Sequence, residues 1–218
     1  MTDANYDCGS VIDIADEPRH RLIIGNEFVR AFAVEIAPGD RTLCHHHPHD
    51  YLFYVASGAE IVSAARGEGP KRLHHEDGQC ELSPAGLTHV VENLSGTPFR
   101  NVVVELLPRS ESLRRGAPPT AAAGTAQPDM LLNEVPGAVF RVTMQPGAEV
   151  EIAGPAILAS AYDDPLTLKE VDAFDIPLDN FCKLMWVCAP RQIAVKNLAK
   201  QTARLIVFQI GRQTGERR

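Results

Sequence analysis

Gly78-Gln79-Cys80-Glu81-Leu82-Ser83-Pro84-Ala85-Gly86-Leu87-Thr88-His89-Val90-Val91-Glu92-Asn93 spaces its special residues as G-x5-P-x-G-x2-H-x3-N. Pro84 and Gly86 mark a turn, and the apolar run after it reads as a strand carrying His89. Upstream lies Gly39-Asp40-Arg41-Thr42-Leu43-Cys44-His45-His46-His47-Pro48-His49, with four histidines in five positions. All eight histidines fall within the first 89 of 218 residues. Imidazole is the commonest metal ligand, so this asymmetry predicts one metal site in one half of the chain. On a strand His45 and His47 share a face, with His89 arriving from another strand. Three imidazoles with coordination positions left open are the mark of a catalytic rather than a closed structural site.

The spacing of Gly78, Pro84, Gly86, His89 and Asn93 resembles the second motif of the cupin superfamily. The first motif of that superfamily, G-x5-H-x-H-x3-E-x6-G, is resembled by Gly39, His45, His47 and Gly58, with Tyr51 at the glutamate position. The resemblance implies cupin-type (jelly-roll, double-stranded β-helix) barrels and the metal ligands His45, His47 and His89. Without the carboxylate, three neutral imidazoles leave the full charge of a divalent ion, which favours a small anionic and chelating substrate. Imidazole sets suit transition metals: Fe first, with Zn, Ni, Cu, Co or Mn as alternatives. Three-histidine cupins include dioxygenases, so the resemblance implies a dioxygenase-like enzyme. Non-oxidative isomerases, lyases and decarboxylases are alternatives in the same fold, as is a non-catalytic binding or sensor protein.

The neighbours of the motif sort by strand parity. His49 and Tyr51 share the inward phase of His45 and His47, and His46 and Asp50 point outward. A bulge at Pro48 would let His49 or Asp50 become a fourth ligand. Tyr51 is either a hydroxyl donor to a bound oxyanion or a packed aromatic. Arg30 lies in the apolar phase of Phe28–Ile36, and it either captures a substrate carboxylate or pairs internally with Glu or Asp. His74 and His75 fall in the polar stretch Lys71–Gly78, which reads as a solvated turn.

The rest of the chain reads as a second, silent copy. Short runs rich in Val, Ile, Leu and Phe fill both halves, which predicts an all-β protein. One short helix is expected around Asp164–Ala173. Asn93 through Leu106 aligns without a gap on Asn197 through Ile210, and Pro38-Gly39 has a counterpart in Pro146-Gly147. Counting places Ala153 and Pro155 at His45 and His47, Ile193 at His89, and Cys188 and Pro190 at Pro84 and Gly86. The expected organisation is a metal-binding barrel over residues 1–107, a linker over 108–128 rich in Pro, Ala and Gly, and a metal-free barrel over 129–218. Arg100 recurs as Arg204, so it reads as structural.

Charge and cysteine content narrow the partners. Net charge is −7 overall, and residues 1–107 hold 8 Lys and Arg against 16 Asp and Glu, a net of −8. No basic face offers itself to nucleic acid, and no apolar run is long enough to span a membrane. The acidic N-terminus does not read as a signal peptide. Five cysteines without a CxxC pair fit a reduced cytoplasmic setting, with Cys44 a small buried hydrophobe. The second barrel is expected to pack or dimerise, giving a homodimer.

Overall fold

The computed structural model describes residues 6, 8–160, 166–169, 176–178, 181 and 183–213. Two compact units emerge: residues 1–22 with 30–106, and residues 23–29 with 107–218. The first holds β1 (Ile12–Asp13), β2 (His20–Gly25), β3 (Val29–Ile36), β4 (His45–His46), β5 (Tyr51–Ser57), β6 (Ala59–Ala65), β7 (Lys71–His75), β8 (Cys80–Ser83), β9 (Thr88–Asn93) and β10 (Phe99–Leu106). They form two five-stranded sheets, ordered β1-β4-β9-β6-β7 and β2-β3-β10-β5-β8.

The second holds β11 (Thr120–Ala121), β12 (Ala126–Glu134), β13 (Gly137–Met144), β14 (Glu149–Ala153), β15 (Ala156–Ser160), β16 (Leu166–Lys169), β17 (Ile176–Leu178), β18 (Lys183–Val187), β19 (Gln192–Asn197) and β20 (Ala203–Ile210). Its sheets run β11-β14-β19-β16-β17 and β12-β13-β20-β15-β18, the same order shifted by ten. The protein is nearly all β, with two tandem barrels of two sheets each. Each unit closes over its own apolar core, around Phe32, Val34, Ile61 and Val103 in the first and Val142, Ile152, Leu158 and Val207 in the second.

The described part of the expected helix, Leu166–Lys169, is instead strand β16, paired with β17 and β19. A four-residue piece between two sheet partners gains its hydrogen bonds from the ladder, which overrides weak local preference. Residues 108–128, expected as a linker, carry a 3-10 turn at Pro108–Ser112, all of β11 and the start of β12.

Duplication extends to single hydrogen bonds. Asn93 Nδ2 donates to the carbonyls of Ile36 and Thr97, and Asn93 Oδ1 accepts from Ser95 N–H. Asn197 Nδ2 donates to the carbonyls of Met144 and Gln201, and its Oδ1 accepts from Ala199 N–H. Both asparagines are fully buried. Gly39 N–H donates to the Asn93 carbonyl and Gly147 N–H to that of Asn197, both at 2.9 Å. An apolar side chain there would strand buried carbonyls, so Asn93→Ala and Asn197→Ala should each cost about 2–4 kcal/mol. Urea unfolding of both variants checks this, and a cost in one unit without the other would break the equivalence.

Strand register corrects the counted correspondence. His45 pairs with His89, and their counterparts are Ile152 and Ile193, which pair with each other. His47 N–H donates to the Leu87 carbonyl as Gly154 N–H does to that of Arg191. The true substitutes for His45 and His47 are therefore Ile152 and Gly154, one residue before Ala153 and Pro155. The first unit has one more residue between Gly39 and its paired strand, which counting from the glycine does not see.

A second correction concerns the thiols. Cys44 is joined to Cys8 by a disulfide with Cα atoms 5.3 Å apart, while Cys80 and Cys188 are free. The expectation of a lone buried Cys44 missed a partner 36 residues away. The bond closes a loop that holds the N-terminal segment against β4, where β1 pairs in parallel, Ile12 with His45. Cys8→Ser should lower the stability of the first unit by about 2–4 kcal/mol. Denaturant melts with and without reductant test this, and coincident curves would refute it.

Candidate metal centre

Motif glycines place the histidines. Gly78 and Gly86 sit at φ of 85° and 98°, the left-handed region that glycine enters without a Cβ penalty. The turn at Gly86 is pinned by its N–H to the His47 carbonyl at 2.8 Å, and His47 N–H returns to the Leu87 carbonyl at 2.8 Å. This exchange sets the His47 segment against β9. Asp50 accepts from Ala85 N–H at 2.7 Å, so its carboxylate braces the same turn instead of joining the imidazoles.

Four imidazoles gather inside the first barrel. His45 lies 4.7 Å from His89 and 5.1 Å from His47 between ring centroids, and His47 lies 5.3 Å from His89. The fourth is His20, 4.6 Å from His45 and 6.3 Å from His47. His20, His45 and His47 each offer a nitrogen within 4.8 Å of the others. His20 went unnoticed in the sequence because it stands alone, 25 positions before His45, and no spacing rule joins it to the cluster. Glu17, three residues before His20, was the available signal, a carboxylate able to orient an imidazole.

Three of the four rings have one nitrogen held by the protein. His20 Nδ1 meets Glu17 Oε2 at 2.8 Å, His45 Nδ1 meets the Leu43 carbonyl at 2.9 Å, and His89 Nδ1 meets Ser63 Oγ at 3.1 Å. Such partners fix tautomer and ring orientation, as behind metal-ligating histidines. His45 Nε2 and both nitrogens of His47 are buried without any hydrogen-bond partner. Orphaned polar atoms of this kind are rare and costly unless an ion or ligand meets them. The donor set thus fits a transition ion, and the absence of a carboxylate among the four rings agrees with imidazole-favouring metals.

Electrostatics keep these rings in ligand form. Burial pushes the His45 pKa down to about 4, with the neighbouring His20 adding to it. Burial also drives His47 and His89 well below the ordinary range, reinforced by the adjacent imidazoles. Burial alone would raise Glu17, but hydrogen bonds from His20 and from the N–H groups of Leu43 and Arg19 outweigh it and lower its pKa.

The remaining expected residues divide between cavity and periphery. Tyr51 is buried and stacks on His47 with centroids 4.4 Å apart. Burial raises its pKa despite a hydrogen bond to Ser83. Arg30 is drawn into an internal pair: Nε donates to Glu105 Oε2 at 2.7 Å and Nη1 to Asp13 Oδ1 at 2.9 Å. It does not line the cavity beside the histidines. His46 points away and bonds Thr88 Oγ1 at 2.8 Å. His49 does not line the cavity either. His75 departs from the solvated-turn expectation: it ends strand β7 and lines the cavity, because β7 pairs with β6 from Ser63 to Ala59. That cavity, about 190 Å³, is bounded by His20, His47, Tyr51 and His89 and by apolar walls including Val34 and Ile61.

No protein-family profile matches the chain, and no curated protein matches it. Solved structures do. AerE from Microcystis aeruginosa superimposes with a TM-score of 0.59 at 14% identity, over 89% of this chain and 98% of that one. Salicylate 1,2-dioxygenase from Pseudaminobacter salicylatoxidans gives 0.56 at 12% identity, over 84% and 71%. The vicilin of Solanum melongena gives 0.60 at 11% identity, over 84% and 74%. At these identities the likeness is one of fold: two cupin barrels in tandem.

Proposed function

We propose that this bicupin is a mononuclear metalloenzyme in which His45, His47 and His89 hold one divalent transition ion, with His20 as a fourth imidazole. The carrying observation is the set of inward nitrogens left without partners in a buried site. Iron is the first candidate. When bound, the ion would supply Lewis acidity and, if iron, access to dioxygen chemistry. The substrate class is a small anionic organic molecule, because imidazole ligands add no negative charge to offset that of the ion. One structural neighbour is solved with gentisate and another is described with anionic ligands in its pockets.

The chain's own residues have distinct tasks in this reading. Glu17 orients His20, and Ser63 and the Leu43 carbonyl orient His89 and His45. Tyr51 remains protonated and offers its hydroxyl at the cavity wall next to His47. Arg30 acts through position, holding Glu105 on the strand beside that of Tyr51, where Glu105 and Tyr51 are register partners. Apolar walls exclude water from the bound molecule. Oxygen uptake by iron-loaded protein with diketone, thiol and aromatic diol candidates tests the oxygenase reading, and no uptake with any of them would overturn it.

His20 favours a second reading. A fourth protein ligand is what a sensor or binding site would use to close its shell. Cobalt-substituted protein separates the two: a visible spectrum that shifts on adding azide indicates an exchangeable position, and an unmoved spectrum indicates the closed site.

Among the described residues no helix is long and apolar enough to cross a membrane. A homodimer is the working assignment, and the acidic charge supports the absence of a nucleic-acid partner. The Cys8–Cys44 disulfide weighs against a permanently reducing compartment. Light scattering gives the assembly state, and thiol trapping in fresh lysate gives the redox state.

A further inference from the structure

The cavity continues past the histidines along a wall of rings. His47 stacks on Tyr51 at 4.4 Å, Tyr51 meets Phe53 at 6.4 Å, Phe53 meets His75 edge-on at 5.9 Å, and His75 stacks on Phe99 at 5.6 Å. An apolar cavity of roughly 150 Å³ accommodates benzene. About 190 Å³ therefore admits one six-membered ring with one or two substituents.

Two polar residues, Asn101 and His75, line the cavity on the Phe99 side. Asn101 is 7% exposed and lines the cavity, and its side-chain amide has no partner among the described residues. On β10 it lies four residues from Glu105, the register partner of Tyr51, which is about 13 Å along the strand. His75 Nδ1 is 3.0 Å from Gln79 Oε1, and Gln79 Nε2 donates to Glu81 Oε1 at 2.7 Å. Gln79 Oε1 can only accept, so Nδ1 is the donor in this contact and, in the neutral ring, Nε2 is an acceptor. The second barrel supplies an internal comparison. At the position equivalent to Asn101 it has Leu205, fully buried, so the barrel has no structural need for an amide there.

We infer that Asn101 and His75 form a recognition subsite for a hydroxyl group on an aromatic ring whose anionic end faces the imidazole cluster. A hydroxyl matches both groups, donating to His75 Nε2 and accepting from Asn101 Nδ2. A second carboxylate is disfavoured there by the His75 lone pair and by Glu81, which also lines the cavity. The orientation of the anionic end rests on the metal reading; the hydroxyl preference does not.

Calorimetric titration of the full chain tests this with matched pairs: benzoate, phenylacetate and cinnamate, each against its 4-hydroxy counterpart, with nickel-loaded and metal-free protein. In at least one pair the hydroxyl should tighten Kd tenfold or more, because a site with unpaired polar groups rejects the analogue lacking the partner. Asn101→Leu should reduce that ratio below twofold while leaving the unsubstituted acid within twofold. His75→Phe, which keeps the ring stack, should act in the same direction. Circular dichroism and nickel content equal to wild type establish that both variants fold. No hydroxyl preference in any pair, no binding at all, or a preference that survives Asn101→Leu overturns the inference. A preference retained together with an acid affinity that metal removal leaves unchanged supports the subsite and counts against the metal reading. Metal-dependent binding of every acid without a hydroxyl preference does the reverse.

Discussion

Metal-free protein taken from pH 6.5 toward pH 4.5 should lose its first unit and keep its second. His45 titrates at about 4 in the folded unit, and His47 and His89 are held well below the ordinary imidazole range, because burial penalises the charged ring. In the unfolded chain each takes its proton near 6.5. Between these values the unfolded state binds more protons, so stability is complete above pH 6.5 and falls as pH falls. A histidine displaced across this window contributes about 1.4 kcal/mol per pH unit, and the three act in the same direction. Glu105 works in the opposite sense. Burial raises it to about 7 against the pull of Arg30, and this offsets roughly one histidine. The remaining loss over two pH units is comparable with the whole stability of a domain, about 5–15 kcal/mol. Residues 107–218 contain no histidine and lack this lability. Trp186, the one tryptophan, reports the second unit by fluorescence while calorimetry reports both. A fluorescence change at the same pH as the first heat absorption would refute the division.

His45→Ala, His47→Ala and His89→Ala should each reduce metal affinity at least a hundredfold, and wild type should bind one equivalent per chain. His20→Ala should weaken binding by about 10–100-fold, the range seen when an outer partner or one of several ligands is lost. Glu17→Gln should follow His20→Ala more mildly, since the carboxylate holds that ring and accepts from Leu43 N–H beside His45 without itself being a proposed ligand. Elemental analysis and competition with a chelator measure these effects. Bound metal should also raise the stability of the first unit by about 4 kcal/mol at a thousandfold excess over Kd, and only that unit. Two equivalents per chain would contradict the silent second barrel, where Ile152 and Ile193 are buried at the corresponding places. Retention of metal in His89→Ala with loss in His20→Ala would reassign the third ligand.

Local pattern determined much of this protein. Runs such as Val102-Val103-Val104 and Leu205-Ile206-Val207 are strands at any depth, and the repeated Asn93 and Asn197 announced the duplication. His45, His47 and His89 were legible because two sit at strand spacing and the third follows a glycine-bounded turn. Tertiary structure alone decided the rest, since each remaining partner is distant in the chain. His20 reaches the cluster through β2, and Cys8 reaches Cys44 across 36 residues. Arg30 finds Glu105 across 75 positions, which turned a possible substrate anchor into an internal pair. His75 and Asn101 line one cavity although they lie on strands of different sheets, and Phe99 of the Asn101 strand packs against His75. Sequence periodicity records which face of a strand a residue occupies. It does not record which strands become neighbours or where their inward faces leave space, and that closure made an asymmetric count of histidines into one bounded site.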